Sequence, residues 1–402
     1  MNLLRSIKGD RIIWLTVIIL FAFSVMTVFS SGTYLALTRY GGSMGGVLTK
    51  QVGMVAIGLV MMFLAHLLDY RYYSRIAQIL FWLSILGLGF TMFTGITINS
   101  GQRWIDIPFI GLTFQSSDFA KMALIMYLAR KLSKRQDDIK TFERGFWPLI
   151  WPVVIICAFI APADLSTAAV LFLTSVLLLF IGRVNMLYIG GLIGVVVAAG
   201  LLGYGTLKTI PDENLPGRLS TWKARIERFG ADDEPVPYQV EQARIAIARG
   251  GLLPSGPGNS VQRNYLPGAY NDFIFAIIIE EYGLLGGLFV VFLYLVLLYR
   301  AVLLVVKAPK AFGALLGVGL TLSIVIQAFV NMAVAVGLLP VTGLTLPFVS
   351  WGGTSILFTS IAMGIVLSVS ASIERTEEKE MEDDTSAADE LEDHLTEDFA
   401  TA

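Results

Sequence analysis

The sequence predicts an all-α fold class: a polytopic integral membrane protein of about ten transmembrane helices with a long extracytoplasmic loop. The first observation is composition, because 55% of the 402 residues are hydrophobic and only 15% are charged. A soluble protein carries about 25% charged residues. A chain with a mean hydropathy of +0.71 has too little polar surface to cover itself in water and needs lipid. The second and third observations are its apolar runs and the basic residues between them.

Ten apolar runs are predicted to cross the bilayer, most of them close to the ~20 residues that a crossing needs. They are residues 12–30, 51–68, 76–97, 118–132, 147–161, 165–182, 185–207, 273–299, 311–337 and 347–373. The fourth run is interrupted by Asp118, Lys121, Arg130 and Lys131. Charged groups are costly in hydrocarbon, so this span must face protein or water.

The distribution of basic residues predicts that both termini are cytoplasmic. With ten spans, the inside segments hold 17 basic residues and the short outside loops hold 3, as the positive-inside rule requires. Without the fourth span, every later loop would change sides and the bias would collapse. Loop 208–270 and Asp272 therefore lie on the outer side.

Two domains follow from charge and periodicity. Residues 1–373 form the membrane domain, and its long loop contains two segments with helical spacing, "RLSTWKARIERF" and "YQVEQARIAIARGG". The first run follows three basic residues and reads as a retained signal anchor. Residues 374–402 hold 13 of the 31 acidic side chains and no hydrophobic periodicity, which predicts a disordered cytoplasmic tail.

Several classes of chemistry are excluded by what the sequence lacks. The only histidines are His66 and His394, and the only cysteine is Cys157, so no histidine-based triad, histidine metal cluster or disulfide within the chain is expected. No phosphate loop, dinucleotide fingerprint or HExxH motif occurs. Glu280 lies ~12 Å beyond Asp272 along a helix. This distance exceeds the separation between the two catalytic carboxylates of a glycosidase. The chemistry predicted is therefore that of one base, with no nucleotide and no nucleic acid.

Asp272 in "NYLPGAYNDFIFA" lies where the loop meets a long apolar run. One explanation is a helix N-cap. The other is catalysis, because a carboxylate partly withdrawn from water is suited to accept a proton. The preceding segment "GPGNSVQRNYLP" brings Gln262 and Arg263 to the same interface, which favours a site.

A second group of polar residues begins the fourth span. Asp118 and Lys121 are spaced i, i+3 and can pair on one helix face. This pair either marks a site or only joins two spans. Arg103, Gln115 and Ser117 lie on the same outer side and are candidates for the same cavity.

A third stretch, "NMAVAVGLLPVTGLTLPFVSWGGTS", breaks the apolar pattern with prolines and glycines. Irregular backbone at membrane depth is tolerated where it lines a cavity or is buried in protein. A tight turn between two spans explains the stretch equally well.

These motifs carry a resemblance to a known family. "GQRWI", "QSSDFAK", "YQVEQARIAIARGG", "GPGNSVQ", "LPGAYNDFIFA", "EEYGLLGG" and "GLLPVTGLTLPFVSWGGTS" occur in one order across residues 10–373. In this the chain resembles the family of shape, elongation, division and sporulation proteins, which includes FtsW and RodA. It departs from the family's usual patterns in "QSSD", "GAYN" and "WGG", which affects substrate positioning and leaves the base in place.

The resemblance implies peptidoglycan glycosyl transfer from lipid II, a disaccharide peptide on undecaprenyl diphosphate, with Asp272 as the catalytic residue. Arg103, Lys121 and Arg263 become candidates for binding the diphosphate, with or without a divalent cation such as Mg²⁺ or Mn²⁺. "GNSVQ" resembles FtsW more than RodA, so a role in cell division with a class B penicillin-binding transpeptidase and other division proteins is expected. The alternatives are an elongation polymerase like RodA, a lipid II flippase or transporter, and a non-catalytic scaffold whose outer loop only docks partners. The resemblance also implies a bacterial inner membrane, with the active site on its periplasmic side.

Overall fold

Ten long helices form the body of the protein in the computed structural model, which describes residues 8–98, 101–107, 112–211, 219–230, 237–252 and 254–400. The long helices are α1 Arg11–Ser31, α3 Met44–Leu67, α4 Tyr70–Thr94, α5 Ser116–Lys134, α6 Trp147–Ile160, α7 Leu165–Ile181, α8 Met186–Thr209, α11 Ile274–Lys307, α12 Ala311–Ala335 and α13 Gly353–Ala400. The short helices are α2 Thr33–Arg39, α9 Leu219–Gly230 and α10 Tyr238–Gly250. The two segments of helical spacing predicted in the long loop correspond to α9 and α10.

Eight of these helices, within the described residues, have the length and apolar composition of a membrane crossing: α1, α3, α4, α6 with the turn before it, α8, α11, α12 and the first part of α13. Helix α7 is apolar but shorter, with 17 residues. Helix α5 is the charged fourth span of the sequence analysis. Each predicted span therefore coincides with a long helix, and the all-helical membrane fold is confirmed.

Helix α5 lies inside the bundle. It packs against α4, α6, α7, α12 and α13, and 13 of its 19 residues are buried. Its neighbours cover Asp118 and most of Lys121, whereas Arg130 and Lys131 near its end are partly exposed. Charged groups covered by protein in this way are tolerated in a bilayer. By contrast, α8 is mostly exposed, with Leu187 and Leu202 among its most exposed apolar side chains.

The bundle has two distinct ends. At one end Asp10 pairs with Arg300, and Lys307 Nζ lies 3.0 Å from Glu377 Oε1; we call this the terminal end. The other end carries residues 336–352 and the described parts of the long loop, residues 219–230, 237–252 and 254–273, and we call it the loop end. The candidate site lies at the loop end and in the adjacent part of the bundle.

A three-stranded antiparallel sheet at the loop end was not predicted. Strands β1 Ile96–Ile98, β2 Gly101–Ile107 and β3 Leu112–Gln115 pair in sequence order and connect α4 to α5. Register shifts between β1 and β2, because Ile96 opposes Trp104 while Thr97 opposes Gln102. Arg103 is the extra residue of this bulge.

The acidic tail continues as helix. Helix α13 extends to Ala400, and Glu, Ala and Met are strong helix formers. The beginning of the tail is fastened at the terminal end, where Glu378 Oε2 lies 2.9 Å from Lys8 Nζ and Glu374 accepts a hydrogen bond of 2.6 Å from Gly9 N. A domain boundary at residue 374 stays a prediction.

Candidate active site

Asp272 lies immediately before the capping residue of α11. Phe273 occupies the N-cap position, so the structure does not place Asp272 there. The residue is half-buried, and its backbone carbonyl accepts a hydrogen bond of 2.8 Å from Asn331 Nδ2 on α12. Its carboxylate faces Gly343, where an added Cβ would lie 3.7 Å from Asp272 Oδ2.

Residues 336–352 form an irregular loop bonded to the segment that carries Asp272. Ser350 Oγ donates to Asn271 O at 2.6 Å and accepts from Leu346 N at 2.8 Å. Trp351 N donates to Tyr270 O at 2.8 Å. Of the two explanations for this proline- and glycine-rich stretch, the structure favours irregular backbone that is packed in protein over a tight turn between two spans.

Gly343 and Phe348 of the 336–352 loop have positive φ angles. Gly343 has φ +74°, a conformation that only glycine adopts at little cost. Phe348 has φ +65° and is only 2% exposed. Its ring packs edge-on against Phe21 of α1 at 5.3 Å between centroids. A non-glycine residue with positive φ persists where its surroundings over-determine it, which indicates that the loop is built to one shape.

Asp118 and Lys121 form the predicted ion pair inside the bundle. Lys121 Nζ lies 2.8 Å from Asp118 Oδ1, and their side chains are 12% and 7% exposed respectively. Lys121 also donates to Gln327 Oε1 at 2.8 Å. Among the described residues, Asp118 Oδ2 has no hydrogen-bond partner.

A small cavity adjoins this ion pair. Its volume is about 40 Å³, and α5, α12, α13 and Pro347 line it. A polar space of this size holds one or a few water molecules. Gln327 is also part of the lining, whereas Asp272 is not among the lining residues.

Two side-chain amides on α12 connect the ion pair to Asp272. Gln327 Nε2 donates to Thr345 O at 2.9 Å, and Asn331 Nδ2 donates to Leu344 O at 2.6 Å as well as to Asp272. Sequence reasoning missed both residues. The signal was present, because two amides spaced i, i+4 in an otherwise apolar span share one face and are costly there unless bonded.

Three predicted residues precede or begin α5. Gln115 Nε2 donates to Ser117 Oγ at 3.0 Å, and Gln115 N donates to Thr354 Oγ1 on α13 at 3.2 Å. Ser117 is buried. Arg103 lies on β2, and its side chain falls outside the described part of the structure.

The segment before Asp272 is tethered by the carboxylate of Glu280, the first of two buried glutamates of α11, and the second, Glu281, bonds to α1. Glu280 accepts from Ser260 Oγ, from Val261 N at 3.0 Å and from Gln262 N at 3.3 Å. Glu281 accepts from Ser30 Oγ. The structure thus shows why "GPGNSVQ" and "EEYG" occur together: one supplies the donors and the other the carboxylates.

Arg263 and Gln262 both point into protein. Arg263 Nη1 donates to Ser30 O at 3.2 Å, at the end of α1. Gln262 is 5% exposed, and its Oε1 has no hydrogen-bond partner among the described residues. The structure therefore places Arg263 beside Ser30. A role in substrate binding stays a prediction for both residues.

Helix α11 is interrupted at Gly283, which has φ +71° and ψ −178°. The break lets residues 251–252 and 254–256 bond to the helix: Leu284 N donates to Gly251 O at 2.9 Å, and Gly256 N donates to Glu281 O at 3.0 Å. Broken helices of this kind are tolerated at membrane depth because other backbone groups satisfy the freed donors and acceptors.

Metal binding receives no support from side-chain clustering. Within the described ranges, no three His, Cys, Asp or Glu side chains come together in a way that could hold an ion. The divalent cation considered from the sequence stays a prediction.

The sequence matches known proteins over most of its length. The family model of cell cycle proteins that comprises FtsW, RodA and SpoVE matches residues 10–375. A probable peptidoglycan glycosyltransferase FtsW of Geobacter sp. (strain M18) is 32% identical over 373 residues, covering 91% of this chain and 98% of the relative. Stage V sporulation protein E of Bacillus subtilis (strain 168) is 31% identical, covering 91% and 98%.

Solved structures share the fold. The rod shape determining protein RodA of Thermus thermophilus gives a TM-score of 0.64 at 23% identity, covering 90% of this chain and 96% of that one. A chain from a study of the structural coordination of polymerization and crosslinking by a peptidoglycan synthase complex gives 0.73 at 24% identity, covering 91% and 98%. The family match spans nearly the whole chain, and the chain belongs to the FtsW/RodA/SpoVE family of cell cycle proteins.

Proposed function

We propose that the protein is a peptidoglycan glycosyltransferase that polymerises lipid II into glycan strands, with Asp272 as the general base. The observation that carries the proposal is a single half-buried carboxylate, fixed by its own main chain between α11, α12 and the 336–352 loop. Family membership and the names of its glycosyltransferase relatives support the same activity.

The reaction needs one proton acceptor and no external energy source. Asp272 removes the proton from the acceptor sugar hydroxyl, whose oxygen attacks the anomeric carbon of the donor. The bond from that carbon to the diphosphate breaks, the configuration inverts, and the polyprenyl diphosphate leaves with the electron pair. The energy is stored in the diphosphate linkage, which agrees with the absence of nucleotide-binding motifs from the sequence.

The departing diphosphate requires positive charge. Arg103, Lys121 and Arg263 are the candidates. Lys121 is already paired with Asp118 and Arg263 already contacts Ser30, so either would have to share its charge with the substrate. Gln115, Ser117, Asp118 and Gln262 are proposed to contribute hydrogen bonds to the same substrate.

The location and partner follow from the same proposal. Lipid II is an amphiphile, so its sugars meet Asp272 at the membrane surface; we place the loop end on the periplasmic side of a bacterial inner membrane and both termini in the cytoplasm. A relative in fold comes from a complex that couples polymerization and crosslinking. This supports a class B penicillin-binding transpeptidase as partner, with other division proteins, since FtsW relatives at 30–33% identity dominate the similarity.

One observation supports a different class of function, a lipid flippase. The Asp118–Lys121 pair lies inside the bundle beside a cavity, and buried ionisable groups often mark a transport pathway. The two classes differ in whether a covalent product forms.

A polymerisation assay in detergent distinguishes a glycosyltransferase from a flippase. Detergent micelles have no second leaflet, so transport cannot be detected in them and only polymer formation is measured. The purified protein, with its co-purified transpeptidase, should convert fluorescent lipid II into glycan strands that a muramidase digests. Movement of lipid II between leaflets of vesicles, with no polymer in detergent, would contradict the proposal.

A further inference from the structure

We propose that Gln327 and Asn331 are positioning residues for the glycosyl transfer: Asn331 fixes the main chain of Asp272, and Gln327 fixes the ammonium group of Lys121. The inference rests on the proposed function and adds two residues that the family motifs in the sequence do not include. It comes from one hydrogen-bond system that runs across α12 from the ion pair to the candidate base.

Asn331 uses its amide hydrogens to join two chain segments. The residue is 1% exposed, and Nδ2 donates to Asp272 O at 2.8 Å and to Leu344 O at 2.6 Å. An amide nitrogen has two donors, and both are used here. Its Oδ1 is buried without a hydrogen-bond partner among the described residues, so this amide is held by its donors alone.

The second of these bonds places Gly343 against the base. Leu344 follows Gly343, the residue whose positive φ brings its backbone to the Asp272 carboxylate. Asn331 therefore holds both the main chain of Asp272 and the loop that faces its carboxylate. A displacement at Asn331 would move the two together.

Gln327 holds Lys121 in a defined orientation. Its Oε1 accepts from Lys121 Nζ at 2.8 Å, and its Nε2 donates to Thr345 O at 2.9 Å. A flipped amide would place Nε2 against the ammonium group, so both bonds require the same orientation. Lys121 Nζ thus has two fixed acceptors, Gln327 and Asp118.

The side-chain amides of Gln327 and Asn331 bond to the same loop, residues 336–352. They are spaced i, i+4, one turn apart on the same face of α12, and they bond the carbonyls of consecutive residues, Leu344 and Thr345. These two bonds fix the loop to α12 at adjacent carbonyls. Asn331 also bonds to Asp272, and Gln327 also bonds to Lys121 of the ion pair. Neutral amides achieve this without adding a charge to the buried site.

The test measures kcat and KM for lipid II polymerisation by the full-length protein with its transpeptidase. Gln327→Met and Asn331→Leu keep the side-chain volume and remove the hydrogen bonds. A misplaced catalytic group costs up to about 100-fold in rate, so each variant should lose about tenfold to 100-fold in kcat with KM unchanged. Thr321→Val is the matched control, because Thr321 is buried in α12 and bonds only within its helix, to Gly317 O at 2.9 Å.

Conservative variants keep the test valid if either apolar variant folds poorly. Gln327→Glu retains an acceptor for Lys121, and Asn331→Ser retains one donor. Both should recover more kcat than their apolar counterparts at equal thermal midpoint. Equal kcat for each conservative and apolar pair would contradict positioning through these bonds.

A double-mutant cycle asks whether Gln327 acts through Lys121. In an Asp118→Asn/Lys121→Met background, which leaves no buried charge unpaired, Gln327→Met should cost little further kcat, because the group it positions is gone. An undiminished loss in that background would overturn the assignment. Failure of the wild-type protein to polymerise would instead refute the proposed function, whereas wild-type activity with unaffected Gln327 and Asn331 variants would refute only this inference.

Discussion

At the scale of single residues, burial and pairing decide what each charged group can do. Lys121 was predicted both as a candidate for diphosphate binding and as half of a structural ion pair. The structure confirms the pair. It leaves the catalytic role to experiment, since the ammonium group already has a carboxylate and an amide as partners.

Lys121→Met tests whether this ion pair stabilises the fold. The substitution leaves the Asp118 carboxylate buried without its counter-charge, and breaking a buried pair in this way costs about 3–5 kcal/mol. The expected result is a clear fall in the thermal midpoint of the detergent-solubilised protein. Asp118→Asn combined with Lys121→Met removes both charges and should recover most of the loss; a double variant as unstable as the single one would contradict this reading.

The same double variant, Asp118→Asn with Lys121→Met, also tests whether the ion pair is needed for catalysis. If it folds but does not polymerise, a charge of the pair is needed in the reaction. If it polymerises at the wild-type rate, the pair serves packing alone and the diphosphate must be neutralised elsewhere.

At the scale of elements, the break in α11 organises the loop end. Gly283 allows the helix to turn, so that Gly251 and Gly256 bond to its backbone. The carboxylate of Glu280, before the break, bonds to the segment that leads to Asp272. The candidate site therefore depends on an interruption in a helix as much as on the helix itself.

Gly283→Ala should distort this arrangement. The added Cβ would lie 2.9 Å from Leu252 O, at a φ of +71°, and strain of this kind costs about 1–3 kcal/mol. We expect a lower thermal midpoint and slower polymerisation. Gly200→Ala is the matched control, because Gly200 lies in exposed α8 with open space around its Cβ position; equal behaviour of the two variants would contradict the role given to the break.

The helices could be predicted from the sequence, but their ends could not. Hydropathy located all ten runs, and charge placement identified the fourth span because Asp118 and Lys121 demanded protein around them. The last run was predicted to begin at residue 347, yet α13 begins at Gly353. The reason is that the carbonyls of Leu344, Thr345 and Pro347 accept hydrogen bonds from side chains on α11 and α12 instead of from a following helical turn.

The sheet and the two amides were missed for physical reasons. Strands of three to seven residues between two apolar runs give little periodic signal. Gln327 and Asn331 lie in a span whose other residues are almost all apolar, so the hydropathy average concealed them. Their importance appears only when α12 is placed beside the 336–352 loop.

At the scale of the whole molecule, the two ends of the bundle differ in structure. The terminal end is held by ion pairs that include Asp10–Arg300 and Lys307–Glu377. The loop end holds irregular backbone, a small sheet and the candidate base. The exposed apolar surface between them, which includes Leu86 and Phe292, is the surface that lipid would cover.

The central claim is that the Asp272 carboxylate takes the proton of the acceptor hydroxyl. Asp272→Asn keeps the size of the side chain and removes its basicity. General-base catalysis contributes about 100-fold to 10,000-fold, so lipid II polymerisation by this variant, at equal expression and thermal midpoint, should fall by at least about 100-fold. A rate within about twofold of the wild-type rate would contradict the account.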